Sequence, residues 1–225
     1  MNMIALRDVT KIYKVGKEVT VTAVRGVSLN VDRGEFVIIT GRSGSGKTTL
    51  LNLAAGLARP TSGEVLLGDV NVWSLSDREQ SLLRNRKIGF VFQFPSLLPS
   101  LTTWENVALP TAFGTNHRSQ SVNARAAELL DMVGLSDKLS AYPRQLSAGQ
   151  QQRVVIARAL ISQPEILLAD EPTSNLDEQT EREIMDLFRD IHARTGITVV
   201  LVTHTSQLVS YGTRALEMAG GVIVK

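Results

Sequence analysis

The chain has 225 residues, of which 43% are hydrophobic and 20% are charged, and its formal net charge at pH 7 is +2. This length supports one hydrophobic core, with room for a small inserted subdomain. The near balance of 24 basic and 22 acidic residues gives no indication of nucleic-acid binding. The chain has no cysteine, which excludes disulfides and thiolate metal sites. The N-terminus shows no signal-peptide pattern, and no apolar run approaches the roughly 18–20 residues of a membrane-spanning helix.

The N-terminal third predicts an antiparallel β layer. Residues 3–9 and 19–31 alternate apolar and polar side chains, which is typical of strands with one solvated face. Ser76 is followed three residues later by Glu79, which predicts a capping box at the start of a short helix. The other elements predicted in this part are a buried strand at 36–39, a helix at 49–55 and a strand at 64–67.

In the rest of the chain, apolar runs typical of buried strands alternate with segments whose apolar residues have helical spacing. Residues 95–115 contain three prolines and predict loops and short helices. Apolar spacing predicts one helix around 122–133, ended by Gly134, and another from about 184 to Gly196. Buried strands are predicted at 87–92, 166–169 and 197–202. Strands that alternate with helices indicate an α/β fold with a parallel sheet.

The segment GRSGSGKT at 41–48 fits the phosphate-binding pattern GxxxxGK[ST], between a predicted strand and a predicted helix. Its glycines allow several backbone N–H groups to point at one anion, and the helix N-terminus adds partial positive charge. Lys47 can reach the β- and γ-phosphates of a nucleotide, and Thr48 can offer its hydroxyl to Mg²⁺. The candidate phosphate contacts are Gly41, Ser43, Gly44, Ser45, Gly46, Lys47, Thr48 and Thr49.

Two carboxylates, Asp170 and Glu171, follow the buried run at 166–169. Asp170 is the candidate Mg²⁺ ligand, because such a strand-end aspartate holds the metal in phosphate-loop enzymes. Glu171 is expected on the opposite face of an extended chain, where it would act as general base towards the attacking water. The alternative, an acidic pair that only caps the next turn, is disfavoured by the phosphate loop elsewhere in the chain.

The segment LSAGQ at 146–150 predicts a second helix start built from small residues. Ser147 can donate a hydroxyl, and Gly149 lets the backbone approach an anion. The same residues would also suit a capped helix with a polar first turn. The segment, including Gln150, closely resembles the LSGGQ signature of ATP-binding-cassette (ABC) ATPases. That resemblance implies that Ser147 reaches across a head-to-tail dimer to the γ-phosphate held by the partner subunit.

The resemblance extends over essentially the whole chain, with the motifs in the family's order. Tyr13 matches the aromatic residue that stacks on adenine, although an exposed strand tyrosine is an alternative. Gln93 matches the Q-loop glutamine, which senses Mg²⁺ and the lytic water. Asp177 closes the segment SNLD, which resembles the D-loop, and it is also a candidate N-cap. His204 matches the switch histidine that touches the γ-phosphate and is therefore a candidate catalytic residue with Lys47, Glu171 and Gln93.

Two positions depart from the family pattern, and three segments refine the resemblance. Ala148 replaces the usual first glycine of the signature, and Asn175 replaces a small apolar D-loop residue.

Segments at 11–29, 84–99 and 103–107 are most similar to the lipoprotein-release and macrolide-export type. His117 and His192 lie in no such motif, and we expect them at the surface.

The resemblance implies a single ABC ATPase domain over residues 1–225. It would have an α/β core, an antiparallel β layer and an inserted helical subdomain at roughly 94–162. ATP and Mg²⁺ are the implied cofactors, and the implied partners are a second copy of the chain and an integral-membrane permease at the cytoplasmic face of the membrane.

The function implied is ATP hydrolysis that drives export or the release of lipoproteins or hydrophobic compounds. The alternative is a cell-division ATPase that transmits force without transport. A DNA-repair or translation ABC protein is disfavoured because the chain has one cassette and no cysteine. A GTPase is disfavoured because no Asn-Lys-x-Asp motif occurs.

Overall fold

A computed structural model of the protein describes residues 2–16, 19–113 and 119–225, which contain two β-sheets and six α-helices. The strands are β1 (Asn2–Val15), β2 (Val19–Asp32), β3 (Phe36–Thr40), β4 (Ser62–Leu67), β5 (Val70–Asn71), β6 (Ile88–Val91), β7 (Ile166–Asp170), β8 (Thr198–Thr203), β9 (Arg214–Ala219) and β10 (Val222–Ile223). The helices are α1 (Lys47–Ala54), α2 (Asp77–Lys87), α3 (Thr103–Ala108), α4 (Ser119–Met132), α5 (Ala148–Leu160) and α6 (Glu178–Thr195).

The smaller sheet is antiparallel and has the strand order β2-β1-β4-β5. Alternate residues of β2, namely Val27, Leu29 and Val31, are buried, and the residues between them are exposed. This alternation is the pattern of a sheet with one face on the core and one in solvent. The antiparallel layer predicted from residues 3–9 and 19–31 is therefore confirmed.

The larger sheet has the order β10-β9-β3-β8-β7-β6. All its neighbouring strands are parallel except the terminal pair of β9 and β10, so the predicted α/β fold is confirmed. Parallel strands end at a common edge, and ligands of open α/β sheets bind outside that edge. The phosphate loop follows β3, Asp170 ends β7, and His204 follows β8, so the topology brings these distant segments to one place.

The central strands are buried on both faces, which explains their uninterrupted apolar sequences. Residues of one parity, such as Phe36 and Leu167, join a hydrophobic cluster with α4, α5 and α6. Residues of the other parity, such as Val37 and Leu168, join a second cluster with α1 and the antiparallel sheet. The parallel sheet thus separates two cores.

The described residues between β6 and β7 form helices and connecting loops and contain no strand. Val107 of α3, Leu129 of α4 and Val154 of α5 share one hydrophobic cluster with Phe188 of α6. This helical region therefore packs directly on the same core as the parallel sheet. None of the described helices is both long and apolar enough to cross a membrane.

Several element ends follow the sequence signals. Ser76 and Glu79 form the predicted capping box of α2, and Gly196 ends α6 with a left-handed φ of 66°. His192 is not a simple surface residue as expected. It is half-buried, its Nε2 lies 2.9 Å from the carbonyl of Gly34, and its ring packs against Phe36. His117 lies outside the described residues.

Candidate functional site

The phosphate loop between β3 and α1 is shaped by glycines that no other residue could replace. A Cβ atom on Gly46, whose φ is 102°, would lie 2.2 Å from the carbonyl oxygen of Ala23. A Cβ on Gly41 would lie 2.3 Å from the carbonyl oxygen of Met218. The loop is therefore pressed against β2 and β9, with no space for side chains at these positions.

The start of α1 has no side-chain cap. Gly46 is its N-cap, and neither a side-chain cap nor an acidic residue of the first turn satisfies the helix N–H groups among the described residues. A helix start with free N–H groups and partial positive charge is an anion-binding site. The geometry fits a phosphate group.

Lys47, the first residue of α1, is 4% exposed. Its Nζ donates hydrogen bonds to the carbonyl oxygens of Gly41 at 2.8 Å and Arg42 at 3.2 Å. The same atom lies 3.4 Å from Oε1 of Glu171. The ammonium group is thus held over the phosphate loop by acceptors that a phosphate could replace.

Thr48 and Asp170 meet between α1 and the end of β7. The Thr48 hydroxyl donates to Oδ1 of Asp170 at 2.9 Å. Burial raises the pKa of Asp170, and the negative charge of Glu171 raises it further, whereas the Thr48 hydrogen bond and the Lys47 ammonium act in the opposite direction. This carboxylate is therefore placed where a nearby cation would favour its charged form.

Glu171 does not continue the extended chain, so its expected position on the opposite face is wrong. Its φ is 42°, a left-handed conformation that is uncommon for a residue with a side chain. Its N–H donates to the carbonyl of Val202 at 2.9 Å. The turn brings its carboxylate between Lys47 and Nδ1 of His204, which lies 3.0 Å from Oε2. Both carboxylates therefore belong to one site.

Lys47, Thr48 and Glu171 line a cleft of about 420 Å³, whereas Asp170 and His204 contact these residues without lining it. The predicted residues that line it are Tyr13, Ser43, Gly44, Gly46, Lys47, Thr48, Thr49, Gln93 and Glu171. Sequence reasoning missed Val21, Thr22 and Ala23 of β2, which line it as well and carry no motif. Gly41 and Ser45 do not line the cleft, and the buried Ser45 hydroxyl has no partner among the described atoms.

Gln93 lies just after β6 and connects two parts of the site. It lines the cleft, and its Nε2 donates to the hydroxyl of Ser174 at 3.3 Å. Ser174 begins the segment that resembles the D-loop. This contact could not be predicted from local sequence, because the two residues are 81 positions apart along the chain. Tyr13, which also lines the cleft, is 39% exposed and has Lys11 Nζ 5.0 Å from its ring centroid.

The second helix start does not join this cleft within one chain. Ser147 is exposed and caps α5: its Oγ accepts from the N–H of Gln150 at 3.2 Å, and its own N–H donates to Gln150 Oε1 at 2.9 Å. Gly149 is buried, and a Cβ there would lie 2.5 Å from Cγ2 of Thr180. The glycine is therefore required by helix packing, which the sequence did not indicate.

Asp177 is the N-cap of α6, as its alternative interpretation predicted. Its Oδ1 accepts from the N–H of Thr180 at 2.9 Å, and its Oδ2 accepts from the Thr180 hydroxyl at 2.6 Å. These hydrogen bonds hold the pKa of Asp177 below its ordinary value. Like Ser147, Asp177 lies outside the cleft of its own chain.

Comparisons with known proteins agree with this architecture. The model of the ABC transporter family matches residues 24–174. The chain is 44% identical over 223 residues to the lipoprotein-releasing system ATP-binding protein LolD of Geobacter metallireducens, covering 99% of this chain and 98% of the relative. It is 45% identical over 224 residues to the macrolide export ATP-binding/permease protein MacB of Syntrophobacter fumaroxidans, covering 99% of this chain but only 31% of that protein.

A solved structure is equally similar. The ATP-binding cassette MJ0796 of Methanocaldococcus jannaschii was determined as a dimer bound to ADP and Pi. It shares 43% identity with this chain and a TM-score of 0.90, with 99% of this chain and 97% of that chain covered. The sequence-based prediction of family and type is thereby confirmed. The chain belongs to the ABC transporter family, as an ATP-binding and ATP-hydrolysing subunit.

Proposed function

We propose that this chain binds ATP with Mg²⁺ in the cleft, hydrolyses it in a head-to-tail dimer of two copies, and thereby drives a membrane permease. The observation that carries the proposal is the convergence of Lys47, the Thr48–Asp170 pair and the Glu171–His204 pair around the open N-terminus of α1. These groups come from the start of α1, the end of β7 and the residue after β8, so the tertiary structure brings them together.

Nucleotide binding is supported by the shape and charge of the phosphate loop. The free N–H groups of α1 and the Lys47 ammonium together favour a polyanion. Tyr13 borders the same cleft and is exposed enough for an adenine ring to stack on it.

Thr48, Asp170 and Gln93 are the residues that would hold Mg²⁺; Thr48 contacts Asp170, and Gln93 lines the same cleft as Thr48. When bound, the ion neutralises charge on the phosphate oxygens. No group of three histidine or carboxylate side chains suited to a metal occurs in the described ranges. A hydroxyl and one carboxylate suit Mg²⁺, because this ion usually keeps several waters and takes further oxygens from the substrate phosphates.

Glu171 is the proposed general base for hydrolysis. Its contact with His204 orients the carboxylate, and its left-handed backbone directs it into the cleft. It would accept a proton from the attacking water, while Lys47 and His204 stabilise the charge that develops on the transferred phosphoryl group. Before the γ-phosphate enters, Glu171 itself neutralises Lys47.

The dimer is supported by the position of Ser147. It is exposed, its helix start is an anion-binding type, and it lies outside the cleft of its own chain. A second copy placed head to tail would bring Ser147, Gly149 and Gln150 to the γ-phosphate, with Asp177 near the subunit contact. ATP then binds the closed dimer better than the open one, and this differential affinity is the switch.

The relatives suggest the type of transport. LolD is named for lipoprotein release and MacB for macrolide export. We therefore favour export or release of lipoproteins or hydrophobic compounds over force transmission without transport. The MacB relative also carries a permease in one chain, so a permease is the natural partner here, with this subunit bound to it at the cytoplasmic face of the membrane.

The proposal is tested with Glu171→Gln, compared with Glu165→Gln at the opposite end of β7. The Glu171 variant should keep ATP binding, lose roughly 10²–10⁴-fold in turnover, and form a dimer on gel filtration only with ATP. The Glu165 variant loses exposed ion pairs to Arg33 and Lys87 and should hydrolyse ATP normally. A Glu171 variant that stays monomeric at saturating ATP would contradict the scheme.

A further inference from the structure

The last turn of α5 carries a partly buried guanidinium that holds the chain just after Gln93. Nη2 of Arg158 donates to the carbonyl oxygen of Pro95 at 2.9 Å, and its Nη1 donates to that of Ser96 at 3.0 Å. Two hydrogen bonds from a planar cation to successive carbonyls fix both the position and the orientation of that backbone.

The charge of Arg158 is not used in an ion pair within the described part of the chain. Burial lowers the pKa of its guanidinium, which nevertheless remains a cation at neutral pH. Arginine is rarely buried without a carboxylate partner, because removing its charge from water is costly. Here the backbone carbonyls of Pro95 and Ser96 take the place of the carboxylate, so the Arg158 guanidinium is bound to this segment.

The segment that Arg158 holds is conformationally unusual. Ser96 has a φ of 45°, in the left-handed region that non-glycine residues seldom occupy. Such conformations persist only where the surrounding structure enforces them. The hydrogen bonds from Arg158 restrain the backbone at Pro95 and Ser96, and the hydrogen bond from Gln93 to Ser174 restrains the start of the same segment.

The end of α5 also lies unusually close to β6, the strand that leads to Gln93. A Cβ atom on Gly89 would lie 2.3 Å from the carbonyl oxygen of Ala159. The glycine thus allows the helix and the strand to touch along their backbones. The last turn of α5 therefore contacts both the start of β6 and the segment after Gln93.

We propose that Arg158 is a positioning residue that couples the placement of α5 to the placement of Gln93 in the nucleotide cleft. This inference rests on the proposed role of Gln93 in hydrolysis. Because Ser147 is the N-cap of α5, one helix joins the expected contact with the partner's nucleotide to the segment that carries Gln93. A shift of α5 on dimer closure is therefore transmitted to the cleft of the same chain through the Arg158 guanidinium.

The physical part of the proposal is tested by hydrogen exchange of the whole protein with mass spectrometry. Arg158→Gln should accelerate exchange of the Phe94, Ser96 and Leu97 amides by about tenfold, because the charge-assisted hydrogen bonds that restrain the carbonyls of this backbone are lost. Arg158→Lys should have a smaller effect, since an ammonium keeps the charge but not the two-pronged geometry. The amide of Leu98 is an internal reference, because it is held separately by Asn106.

Arg153→Gln is the matched control. Arg153 lies on the same helix and also donates to a carbonyl, that of Val133, and to Glu183, but it does not touch the segment after Gln93. The control should leave exchange in 94–97 unchanged. Equal exchange in the Arg158→Gln variant and the wild type would overturn the proposal, whatever the enzyme's activity.

The functional part is tested by a double-mutant cycle with Gln93→Ala. Arg158→Gln alone should lower kcat by about 10- to 100-fold with little change in the KM for ATP, and Arg158→Lys should recover part of the loss. In the Gln93→Ala background, Arg158→Gln should have no further effect.

Multiplicative losses in that cycle would show that Arg158 acts independently of Gln93 and would reject the coupling. Failure of the proposed function has a different signature: the wild type would not hydrolyse ATP, or Gln93→Ala would leave kcat unchanged. In the second case the coupling to hydrolysis is also rejected. In both cases the exchange measurement still decides whether Arg158 holds the segment.

Discussion

The starts of α1 and α5 are both built from small residues, yet they differ in how their backbone N–H groups are satisfied. The α1 start has Gly46 as N-cap and no side-chain cap, and its Lys47 is buried beside it. The α5 start has a complete capping box made by Ser147 and Gln150. The first has no side-chain cap in the single chain, whereas the second has two of its N–H groups, those of Ser147 and Gln150, bonded by its own side chains.

This difference indicates distinct roles for the two helix starts. An uncapped N-terminus with a buried cation binds an anion directly through its N–H groups. In the capped start, Ser147 Oγ accepts the Gln150 N–H, and its hydroxyl hydrogen has no acceptor among the described residues. A hydroxyl can donate as well as accept. Ser147 can therefore keep α5 capped and still donate to a partner's phosphate.

The largest expected effect comes from removing the cation at the open start. Lys47→Ala should weaken ATP binding by about 10- to 100-fold, because charge-assisted hydrogen bonds to phosphate are lost. Calorimetry measures the affinity directly. Lys138→Ala, which removes an exposed lysine paired with Asp137, is the control and should bind normally. Unchanged affinity in the Lys47 variant would show that the phosphate loop is misassigned.

The capped start is tested by Ser147→Ala against Ser76→Ala, which removes the equivalent cap from α2. Each should cost about 1 kcal/mol of stability. Only Ser147→Ala should also abolish ATP-dependent dimerisation when combined with Glu171→Gln, while monomer affinity for ATP stays the same. If both serine variants dimerise equally well on gel filtration, Ser147 is a helix cap and nothing more.

A smaller effect, a change in melting temperature, tests whether Gly149 is required for packing against Thr180. Gly149→Ala should lower the melting temperature, because the new Cβ would meet Cγ2 of Thr180 at 2.5 Å. Thr180→Ser removes that methyl group but keeps the hydroxyl bound to Asp177, so the double variant should recover stability. A double variant that remains as unstable as the single one would show that the Thr180 contact is not the reason for the glycine.

The smallest expected effect is a pH dependence of stability that arises from Asp170, the candidate Mg²⁺ ligand. Because the pKa of Asp170 is raised in the folded protein, its burial destabilises the nucleotide-free chain at neutral pH, and this cost disappears as pH falls below the ordinary aspartate pKa. Asp170→Asn should therefore raise the melting temperature at pH 7, with a difference that shrinks on acidification. A lower melting temperature of the variant at pH 7 would contradict this.

Local signals in the sequence were sufficient for much of the fold and part of the site. The capping box at Ser76, the left-handed Gly196 and the buried parallel strands follow from rules that act over a few residues. The phosphate loop belongs to the same class, because its pattern spans eight consecutive residues, although the close approach of Ala23 and Met218 to its glycines is a tertiary feature. The family resemblance then ordered motifs that are individually ambiguous, such as Tyr13 and His204.

Contacts between distant segments were not predictable from such signals. The left-handed turn at Glu171 depends on its N–H binding Val202 of the neighbouring strand. The Gln93–Ser174 and Arg158–Pro95 hydrogen bonds join residues 81 and 63 positions apart. The half-buried position of His192 results from packing against Phe36. No pattern within either partner's segment encodes these pairings.

By itself, the sequence determined which chemical groups this protein carries and which secondary structure presents each of them, because propensity, periodicity and turn chemistry act locally. Only the tertiary structure decided which groups share a site. The parallel sheet brings Lys47, Asp170, Glu171 and His204 to one edge and leaves Ser147 outside it. The physical reason is that strand order and helix packing are set by burial of two apolar cores across the whole chain, and the position of each polar group follows from that global arrangement.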